Sequence, residues 1–292
     1  MKLWLLFTVL FTLYGCTTEA EKILLPPTDA IFQIDVDGVV REYQLYIPEN
    51  TFEGAPLVVM LHGFTQTHLA FKELSQMDRV ADQHSFVVVY PLGTRAFGQP
   101  HWNAGLELSQ IDDVFFLESL IETLKKTYTL GDDVFVSGFS NGGFMAYTLM
   151  CESQGLIKAI APVAALMSGN TFGTCETPDE ISIMHIHGTN DFVVPAFTPM
   201  IPFGGFGGGP VLFDMLSFIK ETFDLPEWQE NDYNETVRYF ESIGSLNRIE
   251  LYIIADYGHF WPSSVSEERF VDAFEASEMI WQFFETFIKD TP

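Results

Sequence analysis

The sequence predicts an α/β fold: a mostly parallel central sheet, an N-terminal antiparallel hairpin and flanking helices. Two observations carry this. Six short, largely apolar runs recur through the chain, and runs of that kind suit strands buried on both faces of a parallel sheet. Segments of helical periodicity lie between them, and strand–helix alternation is the mark of α/β architecture.

The elements follow in order. Ile31 to Val36 and Arg41 to Pro48 flank Asp37-Gly38, a tight-turn dipeptide, and Tyr43, Leu45 and Ile47 alternate onto one face. That pattern predicts the hairpin. The apolar runs are 57–61, 86–90, 134–136, 159–167, 181–187 and 249–255. Between the second and third, Leu117, Leu120, Ile121 and Leu124 fall at i, i+3, i+4 and i+7, with acidic residues before them and Lys125-Lys126 after. This is an amphipathic helix with charges that match its dipole. Met279, Ile280, Phe283 and Phe287 predict a last helix in the same way. No repeat and no long linker divides the chain, so a single domain over 29–292 is expected. The Gly-rich stretch 203–209 has the wrong spacing for a dinucleotide fingerprint and is followed by Pro210; it is expected to be a flexible loop. The polar segment 224–234 is expected to run over the surface.

Composition narrows the class. The 292 residues carry 14 Lys+Arg against 40 Asp+Glu, a formal charge of −26. Nucleic-acid binding needs basic residues to displace counterions, so this balance excludes it as an expectation. A polybasic membrane patch is excluded on the same ground. Hydrophobic residues make up 47%, far too many for a disordered chain.

The N-terminus predicts export. Lys2 precedes a short apolar run that ends at Gly15-Cys16, too short to span a bilayer but matched to a signal peptide core. Leu13-Tyr14-Gly15-Cys16 resembles a bacterial lipobox, which predicts a signal peptide over 1–15, lipidation of Cys16 and a tether over 16–28. An ordinary signal peptide is the alternative. The membrane is then met only through the lipid anchor, at the periplasm or cell surface. Cleavage would remove Lys2 and no acid, leaving −27 on the exported chain. That charge is expected to disfavour anionic substrates, an effect salt would screen. With Cys16 set aside, Cys151 and Cys175 form an even pair in an oxidising compartment, which favours a bridge over two buried thiols.

The chemistry centres on Gly138-Phe-Ser140-Asn-Gly142, a G-x-S-x-G pattern between an apolar run and a helical segment. In that context the serine sits on a sharp turn at a helix N-terminus, where amides favour developing negative charge. A serine needs a base and an orienting acid. Asp191 follows the run ending at His187-Gly188, and His259 follows the run ending near Ala255, so the order is Ser, Asp, His. His62-Gly63-Phe64-Thr65 follows the first central run, so the oxyanion donors are expected to be the amides of Phe64 or Thr65 and of Asn141. The other histidines lack this context. His185 and His187 alternate on one strand face, a metal-site pattern without partner ligands, and are expected to be core histidines. Asp256 reads as a turn residue, and Asp112-Asp113 as a helix cap.

These residues resemble secreted α/β-hydrolase-fold esterases that include polyhydroxybutyrate depolymerases, feruloyl esterases and acetylxylan esterases. The resemblance runs from Arg41–Pro48 to the final helix. It rests on Leu61-His-Gly63, Tyr90-Pro91, Trp102-Asn103, Asp112-Asp-Val114, Gly138–Gly143, Ile160–Ala164, His185–Asp191, Gly258–Pro262 and Ala276–Trp281. It implies Ser140 as nucleophile, Asp191 as acid, His259 as base, a Cys151–Cys175 disulfide, and Trp102 and Trp261 lining the substrate site. The expected function is a serine carboxylester hydrolase that uses no metal or cofactor and needs no obligate protein partner. Feruloyl or acetyl esters of polysaccharide fragments are the expected substrates. Hydroxybutyrate oligomers, a peptidase of the same fold and a catalytically silent surface binding protein are the alternatives.

Overall fold

The computed structural model describes residues 23–105, 111–153, 155–175, 181–201, 208–264 and 274–288. Cys16, the segment expected to be a signal peptide and most of the Gly-rich stretch lie outside them. The predicted hairpin is β1 (Thr28–Val36) and β2 (Val39–Ile47), paired from Thr28↔Ile47 to Val36↔Val39. Asp37 and Gly38 both take positive φ to close it, as an Asp-Gly turn of this type requires.

The apolar runs become β3 (Leu57–Leu61), β4 (Val87–Pro91), β7 (Val134–Phe139), β8 (Ala159–Val163), β9 (Ser182–Gly188) and β12 (Arg248–Ile254). The intervening short strands are β5 (Thr94–Ala96) and β6 (Gln99–His101), which form a separate two-stranded hairpin. Two more, β10 (Gln229–Asp232) and β11 (Val237–Ile243), complete the set among the described residues. The large sheet runs β1-β2-β4-β3-β7-β8-β9-β12-β11-β10. Its centre from β4 to β12 is parallel. Both flanks are antiparallel.

The helices are α1 (His68–Ser75), α2 (Met77–His84), α3 (Asp113–Tyr128), α4 (Asn141–Glu152), α5 (Gly169–Thr174), α6 (Leu212–Thr222) and α7 (Ala276–Glu285). They cover both faces of the sheet, which explains why the central strands are apolar throughout. In β3, Leu57, Val59 and Leu61 join the core containing Leu117, Leu120, Ile121 and Leu124 of α3. Val58 and Met60 join the opposite core with Val80 of α2 and Trp281 of α7. Each fully buried leucine contributes about 2 kcal/mol. Among the described residues no helix is long and apolar enough to cross a membrane.

Three expectations are corrected. The end of the segment expected to be a tether is bound to the domain. Leu24 pairs with Phe52, Leu25 is buried, and its amide donates to the Thr51 carbonyl at 2.8 Å. The polar 224–234 segment is not a simple surface excursion, because its Gln229–Asp232 part pairs with β11. Asp112 caps α3, its carboxylate accepting from the Phe115 amide at 2.9 Å. Asp113 does not cap. It is buried in an ion pair with Arg41 at 2.8 Å.

Candidate active site

The site is built where β7 turns into α4. Ser140 has φ 52° and ψ −119°, a backbone conformation that costs a non-glycine residue energy and recurs at functional sites. Neighbouring glycines allow the turn. A Cβ on Gly142 would lie 2.1 Å from the Leu61 carbonyl oxygen, and one on Gly138 would lie 2.5 Å from the Gly142 carbonyl carbon. The Ser140 amide donates to the Val163 carbonyl at 2.9 Å, which fixes the elbow to β8.

Asp191 follows β9 and His259 follows β12. These strands are parallel neighbours, so their C-terminal ends bring the two loops together. The Asn190 amide donates to the Tyr257 carbonyl at 2.8 Å and ties the loops directly. His259 Nδ1 lies 2.7 Å from Asp191 Oδ2, and His259 Nε2 lies 2.8 Å from Ser140 Oγ. The other carboxylate oxygen, Oδ1, accepts from the amides of Val193 at 2.9 Å and Val194 at 2.7 Å. Burial alone would push the Asp191 carboxyl up. Hydrogen bonds from His187, His259 and the Val194 amide more than offset that and hold it below the usual carboxylate range.

The expected oxyanion donors separate. The Thr65 amide is already committed to the Pro100 carbonyl of β6 at 2.9 Å, so Thr65 is removed from the pair. Phe64 faces Ser140 across a cavity of about 320 Å³ that Asn141 also lines. The Asn141 amide opens α4, where the first amides have no partner within the helix.

Trp102 and Trp261 do not line the site. Trp102 is 0% exposed, and its indole N–H donates to the His62 carbonyl at 2.9 Å. Its backbone clasps the Asn141 side chain instead, through Trp102 N to Asn141 Oδ1 at 2.6 Å and Asn141 Nδ2 to Trp102 O at 3.0 Å. Trp261 is 1% exposed and packs edge-on against Phe71. The cavity is walled by Phe144, Val193, Val194, Met200 and Ile201 in their place. A signal for part of this wall was present: Phe192-Val193-Val194 is an apolar run directly after Asp191, with Phe192 and Val193 exposed. Met200 pairs with Gly209 through both backbone groups at 3.1 Å, so the two flanks of the Gly-rich stretch meet beside the cavity.

The ring nitrogens of His185 and His187 take part in hydrogen bonds to protein groups. Among the described residues no cluster of three or more His, Cys, Asp or Glu is placed to hold a metal ion. Cys151, at the end of α4, and Cys175, after α5, are joined as a disulfide.

Comparison with known proteins follows the same lines. Residues 109–200 match the family model described as phospholipase/carboxylesterase. The acetyl xylan esterase of Aspergillus awamori superposes with a TM-score of 0.63 over 87% of this chain and 99% of that one, at 15% identity. The chain has the α/β-hydrolase fold. Over 158 residues, it is 32% identical to a bifunctional acetylxylan esterase/xylanase of Neocallimastix patriciarum, covering 54% of this chain and 22% of that one. Over 175 residues it is 29% identical to a probable feruloyl esterase C of Aspergillus niger, covering 56% and 57% of the two chains. The chain therefore spans less than two thirds of either relative's length.

Proposed function

We propose that the chain is a serine carboxylester hydrolase with Ser140 as nucleophile, His259 as base and Asp191 as acid. The observation that carries this reading is the continuous hydrogen-bonded line from Ser140 Oγ through His259 to Asp191. Ser140 Oγ attacks the ester carbonyl carbon while His259 Nε2 takes its proton, and Asp191 stabilises the resulting imidazolium. The amides of Phe64 and Asn141 hold the oxyanion; losing one such donor costs about 3 kcal/mol in the transition state. The tetrahedral intermediate collapses, His259 returns the proton to the leaving alcohol, and water then frees the acyl group by the same steps.

Feruloyl and acetyl esters of polysaccharide fragments are the proposed substrates. The cavity beside Ser140 supports an acyl group larger than acetyl, because its wall is apolar and an acetyl group would leave most of about 320 Å³ unfilled. The test is hydrolysis of p-nitrophenyl acetate with wild type and Ser140→Ala, followed by methyl ferulate, acetylated xylan and hydroxybutyrate oligomers on one preparation. Activity lost in Ser140→Ala and highest on methyl ferulate is expected. Activity surviving in Ser140→Ala refutes the reading, and a preference for hydroxybutyrate oligomers makes the enzyme a depolymerase.

Export is part of the same proposal, supported by the Cys151–Cys175 disulfide and by the signal-like N-terminus. Lipidation at Cys16 is tested by labelling with radioactive palmitate, which should be lost in Cys16→Ser.

A further inference from the structure

Two buried histidines stand behind Asp191, and the mechanism above gives them no task. Residues two apart on a strand share a face, and His185 and His187 of β9 do so. Tyr147 reaches them from α4, the helix that begins at the proposed nucleophile. Its hydroxyl lies 2.7 Å from His185 Nδ1. His185 Nε2 lies 3.0 Å from His187 Nδ1. His187 Nε2 lies 2.8 Å from the Val194 carbonyl oxygen and 3.5 Å from Asp191 Oδ2.

The protons of this chain follow from its end. A carbonyl only accepts, so His187 Nε2 carries a hydrogen. A neutral His187 then accepts at Nδ1, which makes His185 Nε2 a donor. His185 accepts at Nδ1, which makes the Tyr147 hydroxyl a donor. All four ring nitrogens are then satisfied, and the donors run in one direction, from Tyr147 through His185 and His187 to the Val194 carbonyl beside Asp191. Burial pushes His185 well below the ordinary histidine range. The far end is closed, because Tyr147 is itself buried. The chain is a fixed line of dipoles and not a proton path.

We propose that His187, backed by His185 and Tyr147, is a positioning residue that holds the Asp191–Val194 turn and keeps Asp191 Oδ2 on His259. His187 grips the Val194 carbonyl, and the Val194 amide grips Asp191 Oδ1, so one turn is held from both sides. The inference rests on Asp191 being the acid of the triad. Among the described residues, the titratable groups facing the carboxylate are His187 from β9 and His259 from the loop after β12; Asp256 meets the Asn190 side chain instead.

The test compares His187→Gln, His187→Leu and Tyr147→Phe by kcat, KM, the pH profile of kcat/KM for p-nitrophenyl acetate, and melting temperature. Glutamine can accept from His185 and donate to Val194, so it preserves the direction of the chain; leucine cannot. His187→Leu is expected to lose up to about 100-fold in kcat with little change in KM. The acid limb of its profile should move to higher pH, since the carboxylate loses the His187 N–H dipole that lies 3.5 Å from Oδ2. His187→Gln should recover most of the loss, and Tyr147→Phe should shift the limb the same way by less. A folded His187→Leu with an unmoved limb, or equal kcat in the Gln and Leu variants, overturns the inference. If His187→Leu does not fold, Tyr147→Phe decides, and a wild-type profile there overturns it. Activity surviving in Ser140→Ala removes the triad reading itself, whereas an inactive Ser140→Ala beside a flat His187 series removes only this inference.

Discussion

Asn141 and Trp102 hold each other through two hydrogen bonds, with the Asn141 carboxamide closed like a third strand onto the Trp102 backbone. The residue after the proposed nucleophile is therefore aimed by a tryptophan that does not reach the cavity. Asn141→Ala removes both bonds and leaves the Trp102 amide without its acceptor, while keeping the Asn141 backbone N–H. Steady-state kinetics on p-nitrophenyl acetate should show kcat reduced at least about tenfold with KM nearly unchanged, as expected when a transition-state contact is misplaced.

The same loop is supported from below by Arg41 and Asp113. Asp113 Oδ1 accepts from Arg41 at 2.8 Å and Oδ2 accepts from the Asn103 amide at 2.7 Å, one residue beyond Trp102. Asp113→Ala strands a buried guanidinium, and urea unfolding should report a loss of about 3–5 kcal/mol. The double variant Arg41→Met/Asp113→Leu removes both charges and should be markedly less destabilised than Asp113→Ala.

His62 makes stability depend on pH. Burial pushes it down to about 4 from 6.5. Its Nε2 accepts from the Gly93 amide at 3.0 Å, so a proton there would face another N–H. Between pH 6.5 and about 4 the unfolded chain takes up a proton that the folded chain refuses. Stability is fully present above this window and falls as pH drops through it, by up to about 3 kcal/mol from this group. Urea unfolding at pH 7 and pH 4.5 should show that loss, and His62→Gln should make the dependence shallower.

The disulfide closes a sequence separation of 24 residues, which on the chain-entropy model contributes about 3 kcal/mol. Cys151→Ala/Cys175→Ala should melt at a lower temperature than wild type, and adding a reductant should lower the wild-type melting temperature but leave the variant unchanged.

What was legible in the sequence follows from how local each signal is. β3, β7 and β9 could be read because burial on both faces writes an unbroken apolar run. Ser140, Asp191 and His259 could be read because each stands just after such a run. β10 and β11 carried too many polar residues at the sheet edge for alternation to show. Asp113 looked like a cap because its partner Arg41 is 72 residues away, and only the fold brings them into contact. Thr65 looked like an oxyanion donor until β6, too short to have a period, supplied the carbonyl that occupies its amide. The two tryptophans were misplaced because an aromatic next to a motif packs under a site as readily as it lines one. His185 and His187 were visible as a same-face pair, but Tyr147, which turns that pair into a directed chain, was not.

The proposed chemistry requires Ser140 to be an activated nucleophile. Incubation with a fluorophosphonate probe, followed by peptide mass spectrometry, tests this directly. One label per chain is expected, on Ser140, with labelling abolished in Ser140→Ala and strongly slowed in His259→Ala. A folded wild-type protein that takes up no label, or that is labelled elsewhere with Ser140 unmodified, would contradict it.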